Sequence, residues 1–125
     1  MGGLNRSILA GRLVADPELR MTKNETAVTR FRLAINCRGR FGKSTDFINC
    51  VAWGPLAEIC AEYLKKGRLV AVEGRLSVQN YKDKKGASKT STEVVVENMQ
   101  MLDSKFFNAA SKAKQEEDTA DVISL

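Results

Sequence analysis

The chain has 125 residues, 20 Lys+Arg against 15 Asp+Glu for a net charge of +5, 3 Cys and no histidine. Without imidazole there is no Ser/His/Asp or Cys/His nucleophile, no histidine acid or base, and no mixed Cys/His zinc site. Cys37, Cys50 and Cys60 contain no C-x-x-C pair and fall one short of a four-thiolate site, so no metal or other cofactor is expected, only free, mostly buried thiols in a reducing compartment.

The length suits one domain with a modest core. The longest apolar runs, 69–72 and 94–96, are strand-sized, and residues 1–7 carry no apolar signal segment. A cytoplasmic protein with no membrane span is the expectation. The charge is asymmetric: residues 1–103 hold 17 Lys+Arg against 11 Asp+Glu, whereas residues 115–125 hold 4 acids and no base. A basic body with an acidic end points to a polyanion partner and a tail of separate purpose.

In chain order, residues 4–14 read as a strand that ends at the turn signal Asp16-Pro17. A short extended piece at 19–22 precedes the polar turn Lys23-Asn24-Glu25. Over 27–36, Thr29, Phe31, Leu33 and Ile35 alternate with Arg30, Arg32 and Asn36, which predicts a half-buried strand with a cationic outer face. Residues 37–44, Cys-Arg-Gly-Arg-Phe-Gly-Lys-Ser, read as a basic loop. Gly42-Lys43-Ser44 imitates the end of a phosphate-binding P-loop, but Cys37 replaces the required first glycine and a strand pattern follows, so nucleotide hydrolysis is rejected.

Residues 45–53 form a further strand, with Ile48, Cys50 and Ala52 on one side and Phe47, Asn49, Val51 and Trp53 on the other. Gly54-Pro55 opens a helix whose stripe is Leu56, Ile59, Cys60, Tyr63 and Leu64, with Gly67 expected as its C-terminal stop and Lys65 and Lys66 in the last turn. A long strand over 68–81 turns at Asp83-Lys84-Lys85-Gly86 and returns through 90–102. Five strands with one helix between the third and fourth predict an all-β fold, a five-stranded OB-type barrel with a long hairpin; a plain β-sandwich is the alternative. Residues 1–104 are taken as this domain and 105–125 as a flexible, disordered tail with an acidic end; Phe106 and Phe107 are the tail residues that could pack on the body or on a neighbour.

No convergent set of acids, bases or ligands is present, so an enzyme is not expected. The rings and the cations, however, coincide. Single-stranded nucleic acid is held by bases stacked on exposed rings and phosphates tracked by Lys and Arg. Phe47 and Trp53 share a strand face, roughly 20 Å apart at the rise of a strand, while Phe41 sits in the basic loop and Tyr81 at the approach to the lysine hairpin. Parity alone leaves it open whether the Phe47 face is the core or the surface, since large aromatics usually belong in cores. The cations that accompany the rings are Arg30, Arg32, Arg38, Arg40, Lys43, Arg75, Lys82, Lys84, Lys85 and Lys89. Any one of them alone reads as solvated surface; the set together with the rings reads as a nucleic-acid groove.

At the level of motifs the chain resembles the bacterial single-stranded DNA-binding proteins. The resemblance is carried by Asn5-Arg6-Ser7-Ile8-Leu9-Ala10-Gly11-Arg12-Leu13, Asp16-Pro17-Glu18-Leu19-Arg20, Trp53-Gly54-Pro55-Leu56-Ala57-Glu58, Glu62-Tyr63-Leu64-Lys65-Lys66-Gly67, Val72-Glu73-Gly74-Arg75-Leu76, Thr92-Glu93-Val94-Val95-Val96 and Met99-Gln100-Met101-Leu102. It implies an OB-fold, a homotetramer, and single-stranded DNA bound without sequence preference during replication, recombination and repair in a cytoplasmic, nucleoid-associated setting. Phe47 matches a stacking Trp of that family, Trp53 a stacking Phe, and Tyr81 a third stacking Trp; the fourth ring falls near Gly39, where Phe41 is the available substitute. Family members usually end in a long linker and an acidic tip closing in Pro-Phe, which recruits replication and repair enzymes. Here Glu116, Glu117, Asp118 and Asp121 precede a Val122-Ile123-Ser124-Leu125 end, so Leu125 would serve as the apolar terminus of a partner-binding tail. A protein-interaction module and an RNA-binding OB protein are the alternative functions.

Overall fold

A computed structural model describes residues 2–103. The elements are β1 (Ser7–Leu13), β2 (Glu18–Met21), β3 (Ala27–Gly39), β4 (Gly42–Trp53), α1 (Pro55–Tyr63), β5 (Leu69–Lys82) and β6 (Ser88–Met101). β2 is a four-residue edge strand on β3. The other five close a ring. β1 pairs with β5, β5 with β6, β6 with β4, β4 with β3 and β3 again with β1, and every pairing is antiparallel except β4 with β6. Closure rests on short ladders: Arg12↔Ala34 and Leu13↔Leu33 on one side, Cys50↔Val94 and Val51↔Val95 on the other. The five-stranded barrel with a helix between its third and fourth strands is therefore present.

Alternation decides what fills it. Leu13, Phe31, Leu33, Cys50, Ala52, Val70, Val72, Val94, Val96 and Met101 point inward and join Ala57, Cys60 and Leu64 around α1 in one cluster. Removing these side chains from water is the main favourable term in the fold. The Thr29 hydroxyl, wholly buried, donates to the Ala57 carbonyl at 2.6 Å and ties α1 to β3. The turn after β1 is tied down as well, since the Asp16 carboxylate accepts the backbone N–H of Lys66 at 2.9 Å. Gly74, at the register shift of β5 against β6, packs so closely that a Cβ there would stand 1.9 Å from the Val95 carbonyl oxygen. Only glycine fits that approach.

Three expectations are corrected. Residues 37–44 are not a loop: β3 and β4 stay paired out to Gly39↔Gly42, with Arg40-Phe41 as the tip and Gly42 at φ 115. The polar run hides the strands because this arm is exposed on both faces, so no apolar alternation marks it. The helix ends before Gly67, because Leu64 already adopts extended backbone and its N–H donates back to the Cys60 carbonyl at 2.9 Å. Lys65 and Lys66 thus lie beyond the last turn. Finally, Ile59 and Tyr63 are half exposed; Ala57, Cys60 and Leu64 form the buried stripe. At the other end, Gly54-Pro55 opens α1 as read, with the Gly54 N–H donating to the Ala27 carbonyl at 2.8 Å.

Candidate nucleic-acid interface

Residues directly opposite one another in a ladder share a face, so the registers assign each side chain to the inside or outside of the barrel. Across β3 and β4, the outer rungs are Val28↔Trp53, Arg30↔Val51, Arg32↔Asn49, Ala34↔Phe47, Asn36↔Thr45 and Arg38↔Lys43. Val51↔Val95 carries the same face onto β6, and Arg75↔Val95, Ser77↔Glu93, Gln79↔Ser91 and Tyr81↔Lys89 carry it along the second arm. The parity left open by the sequence is resolved. Cys50 and Ala52 lie in the core, with Ile48 packed against it, while Phe47 and Trp53 look outward, 51% and 46% exposed.

Of the expected ring positions, Phe47, Trp53 and Tyr81 therefore share one outer face, Tyr81 being 51% exposed. Phe41 stands at the tip of the β3–β4 arm, 98% exposed. Among the expected cations, Arg30, Arg32, Arg38, Lys43, Arg75 and Lys89 lie on that same face. Arg40 is at the first arm's tip, and Lys84 and Lys85 are in the turn between β5 and β6. Lys82 is paired with Ser88, one step from Tyr81↔Lys89, and so faces the other way. Glu116, Glu117, Asp118, Asp121 and Leu125, like Phe106 and Phe107, lie outside the described residues.

Within the face, local contacts set the electrostatics. The Arg32 guanidinium carbon lies 4.9 Å from the centroid of the Phe47 ring, a cation–π pair. Arg30 Nη1 donates to Glu93 Oε2 at 2.6 Å, bridging β3 to β6 across β4. Beside this ion pair, a cleft of about 410 Å³ runs from the turn after β1, at Asp16 and Glu18, over Arg30, Arg32 and Asn49 to Ser91 and Glu93. On the β3–β4 arm, the Cys37 thiol donates to an Asp46 carboxylate oxygen at 3.3 Å, and this bond holds its pKa above the ordinary value. Burial pushes the Cys50 thiol up to about 12 and the Cys60 thiol to about 11. Both stay protonated and inert at neutral pH. Among the described residues no group of three or more His, Cys, Asp or Glu could hold a metal, and no helix is long and apolar enough to cross a membrane.

Two outer-face residues escape a sequence reading of the site. Arg12 forms a rung with Ala34, and Ala34 with Phe47, which brings a further cation to the row of that ring; its Nη1 is engaged by the Gly67 carbonyl at 2.9 Å. Nothing local to β1 signals this, because it depends on the β1–β3 closure. Glu93 is the other, a carboxylate set among the cations, brought beside Arg30 by the parallel β4–β6 ladder and opposite Ser77 by the β5–β6 ladder. Asn49, by contrast, is legible from strand parity as a neighbour of the rings.

A closed five-stranded barrel with one helix and two projecting arms is the OB architecture, whose sheet face and loops serve as an oligomer-binding surface in many proteins. The profile described as "Single-strand binding protein family" matches residues 4–102, and the chain belongs to that family. It is 48% identical over 105 residues to Single-stranded DNA-binding protein A of Bacillus subtilis (strain 168), a match covering 82% of this chain and 61% of that protein. It is similarly 47% identical over 103 residues to the Single-stranded DNA-binding protein of Bacillus cereus, covering 80% and 61%, and 43% identical over 105 residues to that of Oceanobacillus iheyensis, covering 82% and 65%. The matched region thus spans less than two thirds of the length of these relatives.

Proposed function

We propose that the protein is a non-catalytic single-stranded DNA-binding protein that coats and protects exposed strands in replication, recombination and repair. The observation that carries this reading is the convergence of Phe47, Trp53 and Tyr81, each about half exposed, on one outer face with six of the ten expected cations. Rings left half in water cost apolar exposure unless a partner covers them. A base has a π-face whatever its identity, so such a surface binds without reading sequence. Phe47, Trp53 and Tyr81, with Phe41 at the arm tip, supply the stacks; the cations of the face, joined by Arg40, Lys84 and Lys85 at the tips, neutralise phosphates, and Lys82, turned to the opposite face, is left out of the set. Arg32 over the Phe47 ring adds a planar cation on which a base also stacks.

The relatives named above, and the resemblance in sequence, support single-stranded DNA as the ligand. The resemblance in sequence further implies a homotetramer, a cytoplasmic and nucleoid-associated location, and recruitment of replication and repair enzymes by a tail ending in Glu116, Glu117, Asp118, Asp121 and Leu125. The lone tryptophan makes the test direct. Trp53 fluorescence is titrated with a thymidine oligomer and with duplex DNA of equal length at two salt concentrations. Strong quenching by the single strand, a weak response to duplex and a slope of about −0.7 in log K per contacted phosphate support the reading. Absence of quenching and of binding by a second method refutes it, and tighter binding of a matched RNA oligomer reassigns the ligand. Sedimentation equilibrium of the full chain tests the tetramer.

A further inference from the structure

The Arg30–Glu93 ion pair occupies the middle of the proposed DNA path. β4 runs Phe47, Asn49, Val51, Trp53 along the outer face, and Arg30 stands opposite Val51, between the two rings. Val51 is wholly buried although it belongs to this face, and the ion pair crosses β4 between β3 and β6. Glu93 is the partner with least freedom: its side chain is 15% exposed against 58% for Arg30. On the other side of Arg30, its rung on β2 is Glu18, a second carboxylate, itself 3.5 Å from Arg20.

We infer that Glu93 is an electrostatic brake on DNA binding, which holds Arg30 in an internal ion pair and keeps it from contributing a phosphate contact. The inference rests on the single-strand-binding reading and removes Arg30 from its phosphate set. A phosphate that took Arg30 would offer a charge-assisted bond of the kind Glu93 already provides, and would leave a largely buried carboxylate unpaired, which is strongly unfavourable. It would also approach the Glu93 charge directly. The pair therefore stays closed and makes the centre of the face nearly neutral, so that bases lie over β4 between the rings and phosphates track the outlying cations.

The test is the salt dependence of thymidine-oligomer binding to the full chain, read by Trp53 fluorescence, for wild type, Glu93→Gln and the double variant Arg30→Gln/Glu93→Gln. Glu93→Gln frees one cation, so the slope steepens by about 0.7, and with the extra contact screened out at about 1 M salt the affinity at about 0.1 M rises about fivefold over wild type, the gain one phosphate contact gives across that tenfold range. The double variant removes a pair of zero net charge and retains the wild-type slope and affinity. A double variant whose slope falls by about 0.7 would show that Arg30 contacts phosphate in the wild type and would overturn the inference, as would a Glu93→Gln protein that melts like wild type and binds no more tightly. If Glu93→Gln alone does not fold, the double variant decides. Failure of the wild-type chain to bind the oligomer at all would instead refute the proposed function.

Discussion

Truncating Phe47 to Ala separates what the ring does for the fold from what it does for the ligand, and it leaves Trp53 in place as the reporter. The ring is 51% exposed, so truncation forfeits about half the burial energy of a core Phe, about 1 kcal/mol. Loss of the Arg32 contact at 4.9 Å adds about 0.5–1 kcal/mol. Stability should thus fall by about 1–2 kcal/mol, which leaves an ordinary domain folded at room temperature. If one base stacks on the ring, binding loses about 1–3 kcal/mol, or about 5- to 150-fold in Kd. The measurements are a urea melt and a thymidine-oligomer titration at matched salt, with Ile59→Ala on α1 as the control for a similarly exposed apolar residue that is not on the proposed strand face. A folded Phe47→Ala protein with an unchanged Kd would remove Phe47 from the interface.

Three further outcomes are expected. Gly74→Ala places a Cβ 1.9 Å from the Val95 carbonyl oxygen, with backbone rather than a flexible side chain in the way, and should destabilise by about 3 kcal/mol or more; a wild-type urea midpoint would contradict the close packing. Thr29→Val keeps volume but deletes the buried hydroxyl that donates to the Ala57 carbonyl at 2.6 Å, at a cost of about 1–3 kcal/mol, whereas Thr29→Ser should retain most of the bond; equal melts for the two variants would count against it. The thiols of Cys50 and Cys60 are raised from an ordinary 9.0 to about 12 and about 11, so the unfolded chain ionises first and their stabilising contribution, complete below about pH 9, is lost between there and the folded values at about 1.4 kcal/mol per pH unit for each thiol. Denaturant melts from about pH 8 to about pH 11 should show this decline, and a Cys60→Ala protein a shallower one; identical profiles would refute the assignment.

Where one face of a strand meets the core and the other meets water, the elements are plain in the sequence. Thr29, Phe31 and Leu33 against Arg30 and Arg32 mark β3, and Gly54-Pro55 marks the helix start. The arms are illegible for the same reason in reverse: beyond Ile35 on β3 and before Ile48 on β4 both faces are wet, so pairing is sustained by a ladder with no pattern to announce it. The helix end fails on a competing signal, because Gly67 at φ 89 shapes the loop leading into β5 rather than the last turn of α1. Of the candidate site, the rings and most of the cations are legible from residue type and their nearness in sequence, while parity alone leaves open whether Phe47 and Trp53 face outward. Arg12 and Glu93 are not legible, since each depends on a register between segments far apart in the chain; the reversed orientation of Lys82 follows from plain alternation with its neighbour Tyr81.

The order in which the barrel's strands meet also constrains how the chain acquires its structure. β2, β3 and β4 are neighbours in sequence and pair in succession, and β3 takes the end of β1, with Leu13 opposite Leu33, whereas the rest of β1 must wait for β5, with Ser7 opposite Gly74, and β4 for β6, with Cys50 opposite Val94. Pairings this distant must meet their loop-closure entropy before any contact offsets it, so barrel closure is expected to be the slow step. During synthesis the early sheet therefore leaves the ribosome with its future core open to water until β6 is complete, and chaperone demand should be greatest over that interval.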